Sequence, residues 1–182
     1  MKLRFLFFYV LSTLLLIFVN VPVTFAQSQV QNRKAPKSSI ILLDRCHMGQ
    51  CGDSKFIEKT LLKTSPNGKL YSVKTAYRSW AMGSQPPNSF GKVQVSYVYC
   101  SKIKPALIFN SDNTYYAHLL NPGGDWYGYN FSDYPIYWVT CHNFVGPDFF
   151  SQEITSRAIK LGYSLDLPSE QVELKNPLEI MN

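Results

Sequence analysis

The chain has 182 residues, 46% hydrophobic and 16% charged, a balance that excludes a disordered or low-complexity protein and fits one modest core. Its formal net charge is +6, which allows an anionic partner, but no nucleic-acid-binding motif is present, so no nucleic acid is expected. The absence of a Gly-x-Ser-x-Gly elbow, a phosphate-cradling glycine loop and a helical His-Glu-x-x-His excludes the hydrolases and nucleotide enzymes that announce themselves by those motifs.

Lys2 and Arg4 give the chain a positive start, and residues 5–19 are apolar apart from Ser12 and Thr13. This run of ~15 residues falls short of the ~20 that a spanning helix needs. With small residues at Thr24 and Ala26, residues 1–26 read as a secretory signal peptide cut after Ala26. The mature protein is then expected to be soluble and secreted or periplasmic, meeting the membrane only through the signal segment before cleavage. Residues 27–39 are polar and aperiodic and read as a disordered linker. Residues 40–164 read as a single α+β domain and 165–182 as an irregular tail, stuck to the body by Val172 or Leu174.

Within the domain, residues 40–43 form an apolar run that reads as a buried strand. Residues 56–63 fit either a helix capped by Asp53 or a strand. Ser65-Pro66-Asn67-Gly68 signals a hairpin, with Asn-Gly supplying positive φ. Tyr71, Val73, Thr75 and Tyr77 then alternate, as do Val93, Val95, Tyr97 and Tyr99. Residues 106–109 are continuously apolar, as in a central strand covered on both faces. After the turns at 111–113 and 121–125, residues 136–140 are β-branched and aromatic and read as a last strand. Phe150, Ile154, Ala158 and Leu161 recur at helical spacing, behind Asp148 as a cap and before Gly162 as a stop. The expected fold is an antiparallel β-meander sheet with one C-terminal helix over about 148–161, stabilised by disulfides.

Cys46, Cys51, Cys100 and Cys141 form an even set in an exported chain and read as two disulfides. Cys46–Cys51 with Cys100–Cys141 is the expected pairing; Cys46–Cys141 with Cys51–Cys100 is the crossed alternative. Cys46-His47 and Cys141-His142 could be drawn as a zinc site, but the spacing fits no standard finger, and neither metal nor cofactor is expected. Charge is segregated: residues 27–104 hold 13 basic side chains against Asp44, Asp53 and Glu58, and residues 105–182 hold three against nine acids. Strands from both halves share a sheet in this reading, so the charges are expected to intermix in the fold.

Aromatic residues concentrate late in the chain. Residues 125–134 place Trp126, Tyr127, Tyr129, Phe131 and Tyr134 among polar and flexible residues. Such rings suit recognition of a carbohydrate, a cell-surface polymer or a protein, and Trp126, Tyr127, Tyr129 and Tyr134 are the candidate binding residues. The alternative is that they fold back as a satellite core. A basic face around Arg45, Lys55 and Arg78 is a second candidate surface. No nucleophile, base and oxyanion donors assemble, so the expectation is a non-enzymatic binding or interaction module, the alternative being a secreted hydrolase or thiol enzyme with a site around His118 and Cys141.

Overall fold

A computed structural model of the chain describes residues 40–43, 46–124, 128–146, 149 and 151–182. The signal and linker segments lie outside the described residues. Among the described residues, seven strands follow one another as neighbours in a single antiparallel meander. They are β1 (Ile40–Leu43), β2 (Gln50–Ser65), β3 (Gly68–Ala81), β4 (Gln94–Ser101), β5 (Ala106–Ser111), β6 (Thr114–Leu119) and β7 (Gln171–Leu174). Two helices, α1 (Asp133–His142) and α2 (Gln152–Leu161), lie between β6 and β7, and a 3₁₀ helix over Pro177–Met181 closes the chain. The fold is a mostly-β α+β fold.

The sheet is covered on both faces because its central strands are apolar on both. Val98 and Leu107 pack with Leu42, Phe56 and Val73 against Tyr134, Tyr137 and Trp138 of α1 and Ile154 and Ala158 of α2. Their neighbours Tyr99, Ala106 and Ile108 point the other way and pack with Leu70, Ala117 and Leu119 under Ile180 of the 3₁₀ helix. Burying one large apolar side chain such as Ile108 or Ile180 stabilises by ~1.5–3 kcal/mol. The tail thus supplies the seventh strand and a lid for the second core, and Val172 and Leu174 pack against that core.

The ambiguous stretch 56–63 is strand, inside the 16-residue β2. Asp53 caps no helix: it lies opposite Arg78 in the β2–β3 register. The β2–β3 hairpin forms at Pro66-Asn67, but by a different device from the expected one. Asn67 and Gly68 are absent from the positive-φ residues, and Pro66 fixes the first corner at the usual negative φ, which leaves a type I turn. Gly68 is required for space: a Cβ there would lie 2.6 Å from the Cys100 carbonyl oxygen and 2.8 Å from the Tyr99 ring. The mirror-image turn occurs instead at Asp112-Asn113, where φ is 51° and 66°.

Among the described residues there are two α-helices, not one, and the extra helix replaces an expected strand. Residues 136–140, read as a strand from β-branched and aromatic content, lie inside α1. Tyr134, Tyr137, Trp138 and Cys141 recur at i, i+3, i+4 and i+7, which is a helical face. The pattern is masked because Pro135, Val139 and Thr140 are buried as well, so little polar face remains to reveal the period. Pro135 sits in the first turn, where its missing N–H costs no helical hydrogen bond. The second helix begins at Gln152, later than the expected 148, and Asp148 and Phe150 lie outside the described residues. Gly162 ends it at φ 86°, with Tyr163 N–H donating to the Ala158 carbonyl.

Candidate binding site

The aromatic loop runs into the N-terminus of α1. Tyr129 is 60% exposed, and its ring meets that of His118 edge-on at 4.9 Å. On its other side His118 meets Phe109 at 4.8 Å. Its Nδ1 donates to Asp133 Oδ2 at 2.6 Å and its Nε2 to Gln171 Oε1 at 3.0 Å. Burial alone would lower the His118 pKa; the hydrogen bond and charge of Asp133, helped by Gln171, outweigh that and leave it raised. Burial likewise raises the Asp133 carboxyl, and the imidazolium draws it back part of the way. With acceptors on both ring nitrogens the proton belongs on the imidazole. The ring has no free nitrogen to act as a base; it ties β6 to the start of α1 and to β7.

Beside this tie lies a shallow cavity of about 240 Å³, lined by His47, Gln50, Cys51, Tyr77, Gly128, Tyr129, Phe131 and Ser132. One wall is a tight hairpin. Met48 and Gly49 take φ of 48° and 79°, while His47 and Gln50 exchange backbone hydrogen bonds of 2.7 and 3.0 Å. The Cys46–Cys51 disulfide clamps the base of that hairpin. Tyr77 forms another wall and lies over Gly52, where a Cβ would meet its Oη at 2.0 Å. Glycine in the strand therefore gives the ring its seat. Sequence reading missed His47, Gln50 and Tyr77 as partners of Tyr129, because the hairpin lies about 80 residues away in the chain.

The other predicted residues separate. Trp126 and Tyr127 lie outside the described residues, as does Arg45. Tyr134 is buried in the core, where its Oη accepts the Asn121 backbone N–H at 3.1 Å. Asn130, in the same loop, is 1% exposed and donates to the Leu119 carbonyl and to Ser169 Oγ. Arg78 forms a two-pronged pair with Asp53, both contacts at 2.8 Å, and its guanidinium lies 4.5 Å from the Phe90 ring centroid. Lys55 covers the same ring. His118 and Cys141 are not brought together: they mark opposite ends of α1, about 12 Å apart along the helix.

All four cysteines are oxidised, Cys46 to Cys51 and Cys100 to Cys141, so no thiol is available as a nucleophile or ligand. Among the described residues no three His, Cys, Asp or Glu side chains converge as a metal site. The disulfides point to an oxidising compartment, extracellular or periplasmic. No helix among the described residues is long and apolar enough to cross a membrane.

The C-terminal end of α1 carries a second cluster. Tyr137 Oη donates to the Ser101 carbonyl at 3.0 Å, Tyr163 Oη lies 2.8 Å from Tyr137 Oη, and His142 Nε2 lies 2.6 Å from Tyr163 Oη. Each phenol has a single proton to donate. With Tyr137 committed to Ser101, Tyr163 donates to Tyr137 and His142 donates from Nε2. Burial, then the charges of Lys102, Lys59 and Arg157, lower the His142 pKa to about 4, so the ring is neutral at pH 7. Lys59 donates to the Thr140 carbonyl and, at 2.9 Å, to Asn143 Oδ1, capping the negative end of the helix.

No family model matches this chain, and neither the curated proteins nor the solved structures contain a significant match to it.

Proposed function

We propose that the chain is an exported, non-enzymatic binding module, released by cleavage near Ala26, and that it recognises its ligand through the cavity between Tyr77 and Tyr129. The observation that carries this reading is the exposed Tyr129 ring beside a small open cavity edged by His47, Gln50 and Ser132. A cavity of about 240 Å³ lies below the ~300–1,000 Å³ usual for enclosing a whole small molecule. It suits one ring or one end of a larger ligand. Tyrosine faces with neighbouring amide, hydroxyl and imidazole groups suit a saccharide unit of a cell-surface polymer. The nearest titratable pair, His118 and Asp133, supports the same reading because its nitrogens are both engaged.

The test is titration of the mature protein with neutral oligosaccharides, followed by tyrosine and backbone NMR shifts. Saturable shifts at Tyr77, Tyr129 and Gln50 are expected, with affinity about five- to tenfold weaker in Tyr129→Ala, the loss of ~1 kcal/mol of aromatic contact. Binding unchanged by Tyr129→Ala and Tyr77→Ala, or turnover of the oligosaccharide, sinks the reading.

A further inference from the structure

Ion pairing among the described residues stays within each half of the chain. The ion pairs among the described residues are Lys74–Glu58, Arg78–Asp53 and His118–Asp133, and none joins a base of the first half to an acid of the second. Cations are left without acidic partners, and several of them gather where α1 and α2 end. Lys102 Nζ lies 3.4 Å from where a Cβ on Gly162, the C-cap of α2, would stand. The next residue, Tyr163, holds His142. Arg157 lies over Phe144 at 4.1 Å, just past α1, and Lys59 sits on the last turn of α1. The charged and titratable groups facing His142 are thus Lys59, Lys102, Arg157, Tyr137 and Tyr163, with no carboxylate among them.

Two cavities flank this point. One, of about 430 Å³ beside the β2–β3 turn, is lined by Lys69, Lys102, Asn67 and Ser101 among others. The other, of about 420 Å³ on α2, is lined by Arg157, Lys160 and Ser156, with Glu153 as its single acid. Each therefore offers two cations with neutral hydroxyl or amide donors. The helix C-termini account for Lys59, which is bonded to α1, and for Lys160 in the last turn of α2, but not for Lys69.

We propose that this end of the molecule binds the sulfate ester groups of an anionic polysaccharide, with Lys102 and Arg157 gripping one group beside His142 and the two cavities taking its neighbours. The surface is separate from the tyrosine cavity and does not depend on it. Two cavities on either side of one cation cluster fit a repeating ligand better than a single ion. Lys102 and Arg157 are exposed, so the site is open to a chain passing over it.

The probe is dextran sulfate, with neutral dextran and inorganic sulfate as controls, followed at pH 7 by the His142 and Tyr163 NMR signals. Dextran sulfate should bind with an affinity that falls as salt rises, shift both residues, and raise the His142 pKa by a unit or more from its low free value, because a nearby anion favours the imidazolium. Lys102→Gln with Arg157→Gln keeps the aliphatic stems and should weaken binding at least tenfold, while the lost Arg157–Phe144 contact lowers the melting temperature by only about 2–4 °C. Lys92→Gln, whose side chain is exposed near the opposite end of β3, should change binding less than twofold. The proposal is overturned if dextran sulfate leaves His142 and Tyr163 unmoved. It is equally overturned if Lys92→Gln weakens binding as much as the double variant, or if inorganic sulfate matches the polymer in affinity.

Discussion

His118 and His142 stand near the two ends of α1 and respond to pH in opposite directions. A raised His118 contributes stability that is complete below the unfolded value of about 6.5 and is lost as pH rises through the folded value. A His142 held at about 4 does the reverse: the unfolded chain takes up its proton first, so stability falls as pH drops from about 6.5 towards 4. Denaturant midpoints of His118→Gln should therefore lose part of their decline on the alkaline side, and those of His142→Gln part of their decline on the acid side. Histidine NMR titration checks the same point directly, with one ring above and one well below the ordinary value. Neither environment was legible in the sequence. Asp133 lies 15 residues from His118 and Gln171 lies 53, and only the sheet and the helix start bring them to one ring.

At the scale of elements, two glycines that look alike in sequence have different duties. Gly68 faces backbone, the Cys100 carbonyl, so Gly68→Ala should cost about 1–3 kcal/mol in unfolding free energy. Gly52 faces the tip of the Tyr77 side chain, which can swing away, so Gly52→Ala should stay within about 1 kcal/mol of wild type. It should nevertheless weaken ligand binding at the Tyr77–Tyr129 cavity, because it displaces one wall. Comparing urea midpoints with binding titrations separates the two effects. Helix α1 depends on its cap in the same local way: Lys59→Met abandons the Thr140 carbonyl and removes the ammonium from over the Tyr71 ring, and should cost roughly 1–2 kcal/mol. The hairpins, the central strand at residues 106–109 and the stop at Gly162 were legible because turn chemistry and periodicity are local. Helix α1 was not, since a helix buried almost all round displays no polar face and its tyrosine, valine and threonine content favours strand.

Across the whole molecule the two disulfides differ in reach. Cys100–Cys141 spans 41 residues and fastens the end of β4 to the end of α1; Cys46–Cys51 spans five and fastens a hairpin. Loop-closure entropy then predicts a loss of about 4 kcal/mol for the Cys100→Ser, Cys141→Ser variant and about 2 kcal/mol for Cys46→Ser, Cys51→Ser, measured by equilibrium unfolding. The short bridge should matter more to ligand binding than its energy implies, because it holds the His47–Gln50 wall of the cavity. The sequence by itself determined the antiparallel meander with its turns and the oxidised state expected of an even cysteine set, since these rest on neighbours in the chain and on composition. Tertiary structure alone decided that residues 133–142 are helix and that the tail adds a strand. It also decided that Tyr129 lines one cavity with Tyr77 and His47 while Tyr134 is buried, and that Lys59, Lys102 and Arg157 stand near His142. Each of these depends on which distant surfaces meet, and burial against a sheet can overrule the local preference of any ten residues.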